Sequence, residues 1–183
     1  MSVSSTSDPA GPAHHGHRLP VTVRPARTSD VRTIRALVAP LAERRVLLGK
    51  EAVAFYESVG DFVVAELGGR VLGCGALHVL WEDLAEVRTL AVSDDALGHG
   101  VGSAILRRLV ERAVELGVSR LFCLTFETEF FARHGFEPID GRAVEPEVYA
   151  ELLRSYDEGV AEFLDLERVK PNTLGNTRML RKL

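Results

Sequence analysis

The chain has 183 residues, 46% hydrophobic and 26% charged, with a formal net charge of −4, which suits one globular domain with a real core. A mildly acidic balance without a Lys/Arg-rich block speaks against nucleic acid or an anionic membrane as a partner. No apolar run reaches the roughly 18 residues of a membrane span, and the N-terminus MSVSSTSDPAGPAHHGHRLP lacks the apolar core of a secretion signal.

Residues 1–20 are rich in Ser, Pro, Gly and His and are expected to be a disordered tail, with His14, His15 and His17 read as surface residues rather than metal ligands. The folded domain is expected over 21–183. A strand is expected at Val21–Arg24, followed by N-cap chemistry at Thr28–Asp30. Apolar residues at 31, 34, 37, 38 and 41 predict a helix from Val31 to about Leu48, interrupted or kinked at Pro40. A short helix is expected at Glu51–Ser58.

DFVVAELGGRVLGCGALHVL reads as a hairpin turning at Gly68-Gly69, and LAEVRTLAV as the next strand. A helix is predicted over Gly100–Gly117, with Ile105, Leu106, Leu109, Val110 and Ala113 on one face. SRLFCLTF is apolar throughout and reads as a central strand. Cys74 and Cys123 lie inside apolar runs and read as buried free thiols of a reducing, cytoplasmic setting. Glu129–His134 is a short helix, GFEPI a strand, Pro146–Asp157 a helix and TRMLRKL a closing strand. The class is α+β with a mixed sheet.

Three glycines, Gly98, Gly100 and Gly102, stand where a strand gives way to a long helix. Glycines there let backbone N–H groups converge on an anion, helped by the helix dipole. No G-x-x-x-x-G-K-(S/T) loop is present, and GHGVGSA has neither the spacing nor the parallel context of a dinucleotide fingerprint. A pyrophosphate joined to a group lying along the preceding strand remains, which is the geometry of coenzyme A.

LAVSDDALGHGVGSAIL resembles the acyl-CoA signature of the GCN5-related N-acetyltransferases (GNAT), V-x-x-x-x-(Q/R)-x-x-G-x-(G/A). Val92 opens the match, Gly100 and Gly102 fill the glycine positions, and Leu97 stands where Gln or Arg is usual. FFARHGF resembles the family's F-Y-x-x-x-G-F element. The resemblance implies a single GNAT domain, a mixed but mostly antiparallel sheet flanked by helices. It also implies acetyl-CoA as acetyl donor, without a metal, bound by Leu90, Ala91, Val92, Leu97, Gly98, His99, Gly100, Val101, Gly102, Ser103 and Phe131.

More narrowly, VAPLAERRVLLGKE, AEVRTLAV, SRLFCLTFETEFFARHGF and NTRML are similar to the acetyltransferase domain of N-acetylglutamate synthases, in their short form without an arginine-binding kinase-like domain. That resemblance implies N-acetylation of L-glutamate, the first step of arginine biosynthesis. Glu86 would be the general base, directly or through a water. The N–H of Leu90, beside a strand bulge, would hold the oxyanion. Phe131 occupies the position where relatives carry a proton-donating tyrosine, and Thr125 is the matching hydroxyl.

Substrate carboxylates need cations. Arg88 shares a strand face with Glu86, and it would either bind a carboxylate or pair with Glu86. Lys50, Lys170, Asn172, Asn176 and Arg178 are the further candidates. Glu127 and Glu129 are unexpected neighbours for an anionic acceptor and would favour glutamine, or a protonated amine, over a second carboxylate. Other readings stay open: another amine acceptor, a protein N-terminus, or a non-catalytic acyl-CoA sensor. The oligomeric state, a homodimer included, is not legible.

Overall fold

The computed structural model describes residues 18–44, 50–169 and 175–183. In chain order the elements are β1 (Thr22–Pro25), α1 (Val31–Glu43), α2 (Ala52–Glu57), β2 (Phe62–Leu67), β3 (Arg70–Trp81), β4 (Leu84–Val92), α3 (Val101–Glu115), β5 (Arg120–Thr125), α4 (Thr128–Ala132), β6 (Glu137–Pro138), α5 (Pro146–Leu152), α6 (Glu158–Phe163) and β7 (Thr177–Lys182). The strands form one sheet in the order β1-β2-β3-β4-β5-β7-β6. Every neighbouring pair is antiparallel except β4 and β5.

The β2–β3 hairpin turns as its Gly-Gly pair predicts, with both φ angles positive, +58° at Gly68 and +81° at Gly69. β3 then pairs with β4 as far as Ala76–Arg88, and the ladder resumes at Cys74–Ala91. Thr89 and Leu90 thus stand opposite Gly75 alone, which is a bulge, and Thr89 takes the left-handed φ of +54° that makes room for the extra residue. The bulge resets side-chain alternation: Glu86, Arg88 and Ala91 share one face of the sheet, while Val87, Leu90 and Val92 point to the other.

On that second face α3 lies close to the strands. A Cβ at Gly73 would come within 2.9 Å of Ile105 Cδ1, and one at Gly75 within 2.8 Å of Ile105 Cγ2. Val63, Leu77, Val87, Ile105, Leu106, Leu121 and Phe136 form the core there. The first face carries two separate apolar clusters. α1 and α2 cover Val64, Cys74, Ala76 and Ala91, while α5 and α6 cover Leu84 and Phe122. Glu86 and Arg88 lie between these two clusters.

Several boundaries differ from expectation. α1 passes through Pro40 and ends at Glu43. Proline so near the C-terminus deprives only Ala36 C=O of its helical partner, and Ala36 is exposed to water. The expected continuation toward Leu48 lies largely outside the described residues. Pro146–Asp157 is not one helix: α5 stops at Leu152, and Asp157 caps the separate α6 by accepting the Val160 N–H at 2.9 Å. The GFEPI strand shrinks to Glu137–Pro138 at the sheet edge, where proline is tolerated. Of the expected tail, residues 1–17 lie outside the described residues, whereas Leu19 donates its N–H to His99 C=O at 3.0 Å and so belongs to the fold.

Candidate active site

β4 and β5 pair only from Leu84–Arg120 to Glu86–Phe122. Beyond that point each strand runs on without the other, to Val92 and to Thr125. The parted edge of β4, bulged at Thr89-Leu90, can pair with the amides of an extended ligand. At its end Gly98 and Gly100 adopt φ +76° and +80°, a region closed to most L-residues. Gly100 is the N-cap of α3, and the helical bonds begin with Ala104 N–H to Gly100 C=O at 3.0 Å. The N–H groups of Val101, Gly102 and Ser103 therefore have no partner within the helix and suit an anion.

Glu86 is 4% exposed. Its Oε2 accepts from Arg88 Nε at 2.6 Å. The Arg88 guanidinium also meets Asp157, with Nη1 donating to Oδ2 at 3.1 Å and Nη2 standing 2.8 Å from Oδ1. α6 lies flat against this group because residue 159 is glycine: a Cβ there would come within 2.5 Å of Arg88 Cζ. His78 pairs across the strands with Glu86, and its Nδ1 is 3.0 Å from Asp61 Oδ2.

Burial pushes the Glu86 carboxyl above the ordinary range, opposed by the charge and hydrogen bond of Arg88. Burial acts in the same sense on Asp157, but there the Arg88 hydrogen bond and charge, with the Val160 N–H, prevail and hold it at about 2. Glu162, one helical turn beyond Gly159, is pushed up to about 7 by burial and by the charge of Glu86, against the opposing influence of Arg88 and Lys50. Lys50, half-buried just before α2, and Glu162 on α6 thus act on one another electrostatically.

The Acetyltransferase (GNAT) family matches residues 35–136. An amino-acid acetyltransferase of Mycobacterium tuberculosis is 59% identical over 161 residues, covering 86% of this chain and 92% of that protein. The chain belongs to the GNAT family. The amino-acid acetyltransferase of Neisseria meningitidis serogroup A is 36% identical over 119 residues, a match spanning 64% of this chain but only 27% of that longer protein. Among solved structures, Mycobacterium tuberculosis Rv2747 in complex with CoA and NLQ superposes with a TM-score of 0.86 at 58% identity, covering 88% of this chain and 99% of that one. N-acetylglutamate synthase from Neisseria gonorrhoeae, complexed with coenzyme A and N-acetyl-glutamate, gives 0.72 at 27% identity and covers 91% of this chain and 36% of that one.

The enzyme is a GNAT acyltransferase with acetyl-CoA as donor, and its residues fit that donor: a parted β4 edge, a bulge, left-handed glycines and the open amides of α3. Leu97 is 58% exposed at the loop surface. Phe131, expected at the coenzyme, is instead a core residue, packed edge-on against Phe130 and Phe136. The ring beside the glycine loop is Phe130, which a Cβ on Gly102 would meet at 3.6 Å. Thr125 is buried, and its Oγ1 accepts the Glu127 N–H at 2.9 Å. That bond caps the turn into α4 and leaves the hydroxyl hydrogen available.

The expected carboxylate-binding residues do not all converge in the acetyltransferase. Arg88 is held by two protein carboxylates, the self-pairing alternative. Arg178 donates to the backbone carbonyls of Gly141 at 2.6 Å and Phe163 at 2.7 Å, tying the sheet to α6. Asn176 is half-buried ahead of β7, while Glu127 and Glu129 are exposed. Lys170 and Asn172 lie outside the described residues. Sequence reasoning missed Asp157, Gly159, Glu162 and His78. Asp157-x-x-Val160 carries a readable N-cap signal, but nothing local says that this helix returns to β4. Among the described residues, no helix is long and apolar enough to cross a membrane, and no cluster of His, Cys, Asp or Glu could hold a metal.

Proposed function

We propose that this acetyltransferase moves the acetyl group of acetyl-CoA to the α-amino group of L-glutamate, forming N-acetyl-L-glutamate as the first step of cytoplasmic arginine biosynthesis. The observation that carries this reading is Glu86: a buried carboxylate on β4, four residues before Leu90 of the bulge, on the sheet face left between α2 and α6. Relatives named amino-acid acetyltransferase support an amino acid as acceptor, and the Neisseria gonorrhoeae synthase holding N-acetyl-glutamate supports glutamate.

An α-ammonium must lose a proton before the nitrogen can attack. Burial raises the proton affinity of Glu86, which suits it to this task. Arg88 occupies Oε2 and turns the carboxylate, so Oε1 is the oxygen that receives the proton, directly or through a water. The Leu90 N–H donates to the thioester carbonyl oxygen, where negative charge builds up. The amides of Val101, Gly102 and Ser103 hold the diphosphate. Acetyl-CoA supplies the activated acetyl group. Thr125 donates its hydroxyl hydrogen toward the departing sulfur. Lys50 attracts a substrate carboxylate, with Lys170 and Asn172 as further candidates.

A second reading, glutamine as acceptor, is favoured by Glu162 on α6, which lies within electrostatic range of Glu86 and Lys50 and when ionised would repel a second substrate carboxylate. The test is thiol release from acetyl-CoA with each of the twenty amino acids, for the wild type and Glu86→Gln. Turnover strongest with glutamate and lost in the variant upholds the first reading. Turnover strongest with glutamine selects the second, and turnover with neither overturns both.

A further inference from the structure

We propose that Arg18 is a ligand of the coenzyme diphosphate, brought to the glycine loop by the segment ahead of β1 in place of the side chain missing at Leu97. The proposal rests on the coenzyme site of the family and adds a residue that lies outside the signature, far ahead of Leu97 in the chain.

At Leu97 the signature asks for Gln or Arg, whose side chain can donate hydrogen bonds. Leucine donates none, although it is exposed at the right place. The loop is nevertheless approached by a cation from another direction. Leu19 N–H bonds His99 C=O at 3.0 Å, and Val21 N–H bonds Leu19 C=O at 2.9 Å. The first bond ties the segment to the loop, and the second turns residues 19–21 tightly on themselves. They set the stem of Arg18 across Gly100: a Cβ on Gly100 would lie 3.3 Å from Arg18 Cγ and 3.7 Å from Cδ.

Gly100 is the N-cap whose helix offers the amides of Val101, Gly102 and Ser103. A guanidinium carried on a stem seated there lies within side-chain reach of an anion bound by those amides. Nearby acidic groups do not compete for it. Asp95 pairs with Arg70 at 2.8 Å, and no carboxylate among the described residues forms an ion pair with Arg18. A planar, permanently charged fork is also the side chain best matched to two adjacent phosphate oxygens. The left-handed Gly100 then serves two ends at once, turning the chain into α3 and leaving room for the Arg18 stem.

The test is calorimetric binding of CoA, 3′-dephospho-CoA and S-acetyl-pantetheine to the full chain, as wild type, Arg18→Ala, Arg18→Lys and Arg18→Ala/Leu97→Arg. The expected result for Arg18→Ala is binding of CoA weakened about tenfold, with a shallower salt dependence and an unchanged melting temperature. The same loss is expected with 3′-dephospho-CoA, and no change with S-acetyl-pantetheine, which lacks the diphosphate. Lysine restores part of the affinity, and arginine at 97 restores most of it. Affinity for CoA within twofold of wild type overturns the proposal. So does an equal loss with S-acetyl-pantetheine, which would make Arg18 a support of loop shape. A loss confined to CoA would assign Arg18 to the 3′-phosphate instead.

Discussion

Asp157 faces Arg88 with both carboxylate oxygens while its Oδ1 also caps α6, so one side chain fixes the helix and orients the partner of Glu86. The contact joins residues 69 positions apart. It makes Asp157 a positioning residue, acting through the guanidinium on Glu86, the proposed proton acceptor.

Asp157→Asn keeps the cap, since an asparagine oxygen can accept the Val160 N–H, but removes the charge. The Asp157 charge raises the proton affinity of Glu86, so its loss lowers it. The acid limb of kcat/KM therefore moves to lower pH in the variant, and kcat falls about tenfold as Arg88 loses its anchor. The pH–rate profile separates this from simple destabilisation, which would scale rates without moving the limb.

Gly159→Ala sets two effects against each other. Alanine is the better helix former by about 1 kcal/mol, yet its Cβ would sit 2.5 Å from Arg88 Cζ. Neither the buried guanidinium nor its two partners can retreat freely, so the clash prevails and costs about 1–3 kcal/mol. Urea unfolding is expected to show a lower midpoint, and turnover to fall with it. A higher midpoint would mean that α6 is not seated on Arg88.

Glu162 ties stability to pH. Its carboxyl is held at about 7 in the folded protein against an ordinary 4.5. Between these values the folded state binds the additional proton, so stability falls as pH rises from 4.5 to 7, and this contribution is flat below that window. Glu162→Gln should make the slope shallower by this contribution and the protein relatively more stable at pH 8. Urea midpoints across pH 4.5–8 for both proteins check this, and parallel curves would refute it.

The parts of the site that neighbour one another in sequence were legible. Gly98 to Ser103 read as an anion loop from their glycines, and the structure supplies the left-handed backbone at Gly98 and Gly100 and the helix start that this reading needs. Glu86 and Arg88 were set on one face by alternation alone. Phe131 shows the limit of motif position, since one residue along a five-residue helix decides between core and surface, and Phe130 faces the loop instead. Asp157, Glu162 and Arg18 were beyond reach for a different reason. Each arrives from a segment whose approach is set by tertiary packing, Asp157 and Glu162 on a helix closing over β4 and Arg18 on a strap crossing Gly100. No periodicity in their own neighbourhood encodes that approach.

Lys50 and Glu162 carry opposite charges and act on one another electrostatically, and in the proposed site the acceptor's side chain is where their balance tells. Lys50→Ala removes attraction for a carboxylate present in both ground and transition states, so KM for glutamate should rise about tenfold with kcat little changed. The effect on glutamine should be smaller, because glutamine brings one carboxylate instead of two. Glu162→Gln acts in the opposite direction: at pH 8, where the wild-type carboxyl is ionised, removing its charge should lower KM for glutamate relative to glutamine. At pH 6, where that carboxyl is already protonated, the two proteins should discriminate alike. Steady-state kinetics with both amino acids at the two pH values decide the matter. A specificity ratio that ignores both substitutions would place the distal end of the substrate elsewhere than between α2 and α6.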